Sequence, residues 1–291
     1  MSTAQTPGRD IAGQWSDDAI IIEETTVAYR RRSGTTMPIV FLHGFADNGD
    51  CFQGLLARLP EHCDAVLLDS AAHGRSGIPA DGAHEVSRRR ITIEFLRQVT
   101  GPAVLIGHSM GASTALSVAA AAPDLVLALV MEDPPWFAAE IEVRDAPATM
   151  MDLEDRLIQW ILALQDQNVE KVEADRRASC PHWDEIEYGY WARSKHAIDK
   201  KAADYPYLRL PEAVADQWDG VMCPSLLITG NPDLSAIVTD EVAAQFLAAV
   251  PTSTRSNHPK AGHDVRRDDP AGVSAAITEF IMGIDAARSN P

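Results

Sequence analysis

The chain has 291 residues, 46% hydrophobic and 23% charged, with a formal net charge of −17. A chain of this length can bury a large core, and its apolar share is ordinary for a folded soluble protein, which excludes disordered and fibrous classes. The acidic balance repels nucleic-acid phosphates and anionic lipid, so neither nucleic acid nor a membrane is an expected partner.

Residues 1–18 are polar, contain Gly and Pro, and read as a flexible terminus without the basic and apolar regions of a signal peptide. No later stretch approaches the ~20 apolar residues that a membrane helix needs, and a cytoplasmic protein is expected. Cys51, Cys63, Cys180 and Cys223 lack CxxC or zinc-finger spacing. They read as buried thiols of a reducing compartment, and no metal site is expected.

Residues 20–30 are rich in β-branched side chains and predict the first strand region; Arg30, Arg31 and Arg32 then read as a solvated loop. Short apolar runs at 39–42, 65–68, 103–106, 125–131 and 225–229 predict strands. Helical spacing or composition falls at 51–59, 84–100, 110–121, 240–249 and 271–287. Such alternation implies a parallel sheet covered on both faces. Residues 134–210 break the rhythm. Leu153, Leu157, Trp160, Ile161 and Leu164 predict an amphipathic helix over 151–167, and 183–199 predicts a second. Aromatic residues crowd here, including Trp136, Trp183, Trp191, Tyr205 and Tyr207. The segment reads as a helical cap inserted into a core formed by residues 19–133 and 211–291.

Gly107-His108-Ser109-Met110-Gly111 follows a buried strand and opens a helix. In a tight strand-to-helix turn, flanking glycines let neighbouring backbones approach while the serine hydroxyl stays exposed. The helix N-terminus adds positive partial charge where an oxyanion would develop. A serine hydroxyl needs a base to take its proton, and the base needs an orienting carboxylate. His263, in Ala261-Gly262-His263-Asp264, supplies the base before the final helix. Asp233, in the loop after the strand at 225–229, supplies the acid. Nucleophile, acid and base would then follow in the chain order Ser109, Asp233, His263.

His43-Gly44-Phe45, Asp69 with His73-Gly74-Arg75-Ser76, the GHSMG turn, the loop 230–233 and Gly262-His263 together resemble the ordered motif set of the α/β-hydrolase superfamily, over about residues 20–290. The resemblance implies a mostly parallel eight-stranded sheet flanked by helices, with a helical cap. It implies an oxyanion hole made by the backbone N–H groups of Phe45 and Met110. It makes His43 a brace of that loop beside the pocket, and His73 and His108 packing residues. Some relatives carry the acid one strand earlier, which makes Asp133 the alternative to Asp233. Trp136, just beyond Asp133, is a candidate substrate contact. Arg266 and Arg267 read as a surface pair facing Asp268 and Asp269, with a substrate carboxylate as the alternative partner.

The function expected is a serine hydrolase that cleaves a small, mostly apolar carboxylic ester or lactone through an acyl-enzyme on Ser109, without a cofactor, as monomer or homodimer. Hydrolysis of a carbon–carbon bond and cofactor-free oxygenation are alternatives on the same fold. A ligand receptor is disfavoured because nucleophile, base and acid candidates are all present. Halide or epoxide chemistry is disfavoured because those relatives carry Asp at the position of Ser109.

Overall fold

A computed structural model of the protein describes residues 15–136, 150–201 and 218–289. Eight strands form one sheet in the order β1-β2-β4-β3-β5-β6-β7-β8. They are β1 Trp15–Ile22, β2 Thr25–Arg32, β3 Ile39–Leu42, β4 Ala65–Leu68, β5 Ala103–His108, β6 Val126–Glu132, β7 Ser225–Thr229 and β8 Ser253–Asn257. β1 pairs antiparallel with β2, and β2 antiparallel with β4; every pairing from β4 to β8 is parallel.

The central strands are apolar because both faces are covered. In β3, Val40 and Leu42 join a core with Leu105, Leu129, Met131 and Leu227. Ile39 and Phe41 point the other way, into a core with Val104, Ile106, Val130 and Ile228. Among the described residues the α-helices are α1 Gln53–Leu56, α2 Glu85–Phe95, α3 Met110–Ala121, α4 Met150–Gln165, α5 Val169–Ser179, α6 Glu185–His196, α7 Asp240–Ala249, α8 Val265–Asp268 and α9 Pro270–Ser289. α2, α3 and α7 contribute to the first core, α1 and α9 to the second. Among the described residues three helices, α4 to α6, lie between β6 and β7 in the chain, where the sequence predicts two.

The N-terminal edge differs from the sequence expectation. Residues 15–18, predicted as part of a flexible terminus, lie in β1 and pair with residues 29–32. The single strand region expected at 20–30 is a hairpin. Its turn is Glu23-Glu24, with φ of 47° and 62°. Positive φ at both turn residues matches the twist of a two-residue hairpin, but the usual Asn-Gly signal is absent. The arginine run is not a loop: it ends β2, where Arg30 pairs with Asp50 at 2.6 Å and Arg31 with Asp64 at 2.7 Å. These carboxylates come from distant segments, so nothing beside the arginines in the chain announces them.

Candidate active site

β5 ends and α3 begins at Ser109, whose φ is 50° and ψ −118°. A non-glycine residue held there costs about 1–3 kcal/mol, which the surrounding bonds must offset. Its N–H donates to Glu132 O at 2.9 Å, and its carbonyl accepts from Ala112 and Ser113 of α3. The glycines show why this turn excludes other residues. A Cβ on Gly107 would lie 2.4 Å from Gly111 O, and one on Gly111 would lie 2.0 Å from Leu42 O. The absence of those two side chains lets α3 drop onto the sheet and leaves the serine at its apex.

His263 follows β8 and opens toward the same end of the sheet. Its Nδ1–H donates to Asp133 Oδ2 at 2.6 Å. Asp133 is fully buried and sits just past β6 with φ of 39°. Its carboxylate also accepts from Ile237 N at 2.9 Å and Val238 N at 3.0 Å. Asp233, favoured from the sequence, is not on the imidazole. It is exposed in a 3-10 turn after β7, where its N–H donates to Asn231 Oδ1. β6 and β7 are neighbours, so either strand end could reach the histidine; the backbone donors of 237 and 238 pin the carboxylate of β6. Burial pulls the His263 pKa down, but the hydrogen bond and charge of Asp133, with Asp264 and Glu132 behind, leave it raised above the ordinary 6.5.

Ser109 and His263 meet through His108, whose Nε2–H donates to His263 O at 3.1 Å. The His108 and His263 rings lie 4.8 Å apart. Among the described residues no hydrogen bond closes between Ser109 Oγ and the imidazole. Such bonds are often long in a free enzyme and tighten when substrate is bound.

The loop after β3 carries the expected oxyanion donor Phe45. His43 Nδ1–H donates to Gly44 O at 2.8 Å, and Nε2 accepts from Ser70 N at 2.9 Å. His43 is fully buried with both nitrogens engaged. It therefore braces the loop and has no face left for a pocket, correcting the second half of its expected role. His73 does the same from the other side: Nε2 accepts from Ala46 N at 3.1 Å, and Nδ1–H donates to Ala71 O at 2.9 Å. Burial pushes both imidazoles below 6.5, which keeps them neutral. Ala46 takes φ of 60°, a second strained point beside Phe45. Met110 opens α3, so its N–H is one of the first-turn donors without an intrahelical acceptor.

Trp136 is 1% exposed and packs against Trp218 at 5.2 Å and Phe246 at 4.9 Å between ring centroids. It belongs to the core beneath α7 and cannot contact substrate in this arrangement. The crevice above Phe45 is lined instead by Ile158, Ile161 and Leu162 of α4, with Gln165 and Ile198. Asp199 and Lys200 complete its wall. Ile161 and Ile198 also pack with Met110 and Ala46. The expected cap residues 137–149 and 202–210, with Tyr205 and Tyr207, lie outside the described residues.

Arg266 and Arg267 are not a surface pair: they are 2% and 1% exposed. Arg266 N and Nη1 donate to the two oxygens of Glu132 at 2.8 and 3.1 Å. Arg267 donates to Asp47 at 3.0 Å, Glu187 at 3.0 Å and Asp264 at 2.7 Å. The partners come from four separate segments, which hides this network from sequence reading. Burial favours a protonated Asp47, yet Arg267, Lys195 and Arg266 hold its pKa well below the carboxylate range. Asp47, His108 and Asp264 bring ligand atoms within 4.8 Å of one another. Three buried cations already crowd those carboxylates, so the donor set suits ion pairing and opposes a further cation.

Comparison with known proteins agrees with this architecture. The sequence model of the alpha/beta hydrolase family matches residues 39–276. The chain is 26% identical over 276 residues to the esterase Rv0045c of Mycobacterium tuberculosis, covering 90% of this chain and 87% of that protein. It is 24% identical to the (E)-2-((N-methylformamido)methylene)succinate hydrolase of Acinetobacter baylyi, over 77% of this chain and 84% of that one. Other relatives are matched over 31% to 56% of their own length. Among solved structures, the N-formylmaleamic acid deformylase of Pseudomonas putida S16 superposes with a TM-score of 0.73 at 17% identity, covering 90% of this chain and 100% of that one. With the family match spanning most of its length, the chain belongs to the alpha/beta hydrolase family.

Proposed function

We propose that the protein is a serine esterase acting on a small, mostly apolar carboxylic ester or lactone, with Ser109 as nucleophile, His263 as general base and Asp133 as the orienting acid. The observation that carries the reading is the 2.6 Å bond from His263 Nδ1–H to the buried Asp133, at the same sheet end as the strained Ser109 turn. Because Nδ1 holds its proton for Asp133, Nε2 is the basic nitrogen. It takes the Ser109 Oγ proton as Oγ attacks the carbonyl carbon. The developing oxyanion accepts from Phe45 N–H and Met110 N–H, each worth about 3 kcal/mol in the transition state. His263 then returns the proton to the leaving alkoxide, and water repeats the sequence on the acyl-enzyme.

In this reading α4 to α6 belong to a cap over residues 134–210, and the Ile158, Ile161 and Leu162 wall receives the acyl or alkyl group. An apolar wall with few polar anchors suits a small ester. The M. tuberculosis relative is itself an esterase, which supports the bond chosen. The four cysteines are free, in keeping with a reducing compartment such as the cytoplasm. Among the described residues no helix is long and apolar enough to cross a membrane.

The test is hydrolysis of p-nitrophenyl esters from acetate to octanoate by wild type and Ser109→Ala. The expected result is turnover by wild type on at least the short members, reduced by about 10⁴-fold or more in the variant. Equal rates in the two proteins would remove Ser109 from the mechanism.

A further inference from the structure

An oxyanion donor works only if its amide is held still, and the Phe45 amide sits next to the strained Ala46. His73 secures Ala46 N. The Ala46 carbonyl is secured by a residue of the inserted helices. Lys195, in the last turn of α6, is 2% exposed. Its ammonium donates to Ala46 O at 2.9 Å and to Asp47 Oδ1 at 2.6 Å. It also lies 3.2 Å from Ser194 Oγ and 4.7 Å from the centroid of the Trp191 ring. Ser194 Oγ itself donates to Asp47 Oδ1 at 3.1 Å.

A fully desolvated ammonium is costly unless its three protons are spent on well-placed acceptors. Here two go to consecutive residues of the loop that carries Phe45, one of them the backbone carbonyl of Ala46, one residue beyond the donor. The other face of Asp47 is gripped by Arg266 and Arg267, which reach back to Glu132 and Asp264, the neighbours of the acid and the base. The helical insertion is thus joined by direct ion pairs to the segments that carry Phe45 and His263, and through Asp47 and Arg266 to the segment that carries Asp133.

We propose that Lys195 is a positioning residue for the oxyanion hole, so that the Phe45 donor is correctly set only while α6 is seated on the sheet domain. The proposal rests on the esterase reading and adds a dependence of the chemical step on the insertion. Lys195 touches no reacting atom. It acts through the Ala46–Asp47 backbone, and a small displacement of a preorganised donor is enough to lower kcat.

Glu187 provides a matched control. It too lies on α6 and binds the same network, accepting from Arg267 Nε at 3.0 Å, but among the described residues it reaches the oxyanion loop through that arginine. Lys195→Met and Glu187→Gln each break one buried ion pair between α6 and the sheet domain. The experiment measures kcat, KM, melting temperature and inhibition by an alkyl trifluoromethyl ketone, whose tetrahedral adduct presents an oxyanion to the hole, for wild type and both variants. The expected result is a kcat lower by about 10- to 100-fold in Lys195→Met, with KM within about threefold and ketone affinity lowered in parallel. Glu187→Gln is expected to lose comparable thermal stability and keep kcat within about threefold. Equal losses of kcat in both variants, or none in Lys195→Met, would overturn the proposal. If Lys195→Met does not fold, Lys195→Gln, which keeps a neutral donor, is read by the same criteria. Failure of the esterase reading is told apart in the wild type, which would then show no Ser109-dependent turnover.

Discussion

The constellations Ser109–His263–Asp133 and Ser256–His258–Asp269 differ in what surrounds the serine. In the second, Ser256 Oγ is 3.0 Å from His258 Nε2, and His258 Nδ1–H donates to Asp269 Oδ2 at 2.7 Å. By hydrogen bonding alone it is the more complete of the two, since no bond joins Ser109 to His263. Yet Ser256 lies in regular strand β8, paired in register with Ile228, and no helix starts behind it. The Asp269 side chain is 42% exposed, whereas Asp133 is fully buried. Ser109 occupies a strained turn at a helix N-terminus, beside a loop held by two neutral histidines. In the proposed reading, the strain, the buried carboxylate and the donors around Ser109 outweigh the short serine–histidine bond of the second constellation. His258 supports the fold. Its N–H donates to Thr229 O, its carbonyl accepts from Ala261 N, and its ring ties β8 to the start of α9. These bonds shape the loop that delivers His263.

The largest effect that separates the two sites comes from the acids. Asp133→Asn should lower kcat by about 10⁴-fold, as loss of the orienting carboxylate does in such triads, while Asp269→Asn and Asp233→Asn should stay within about threefold. Steady-state rates on one ester decide it, and a large loss in Asp233→Asn would restore the acid favoured from the sequence. The pH profile sharpens the contrast next. Protonated His263 cannot accept the serine proton, so kcat/KM falls as pH drops through its pKa. Asp133 raises that pKa above 6.5, so the acid limb should have its midpoint above 6.5. A midpoint at or below that value would contradict the pairing. The smallest expected effect is at the second constellation. His258→Ala should cost about 1–3 kcal/mol of stability, seen in denaturant unfolding, and change kcat by less than about fivefold.

Much of the sheet was legible because its strands are continuous apolar runs. β7 and the helices α3 and α7 fall at the predicted residues, and β5 and β6 within one or two of them. The Ser109 turn was legible because it stands between glycines at a strand end, and His263 because a glycine precedes it between the last strand region and the final helix. What escaped was set by distant partners. Glu23-Glu24 forms a turn without turn residues, made possible by the pairing of β1 with β2. Arg266 and Arg267 are buried only because Asp47, Glu132, Glu187 and Asp264 converge on them. Trp136 looked like a pocket residue from its nearness to Asp133 in the chain, but Trp218 and Phe246 enclose it. Two adjacent strands are each followed by a carboxylate, and only the amides of Ile237 and Val238 decide which one faces the imidazole.

The most direct measurement is where a fluorophosphonate probe attaches. Peptide mapping of the folded, inhibited enzyme should recover one adduct, on Ser109, absent from Ser109→Ala and strongly slowed in His263→Ala. An adduct on Ser256, or none on Ser109 in active protein, would contradict Ser109 as the nucleophile.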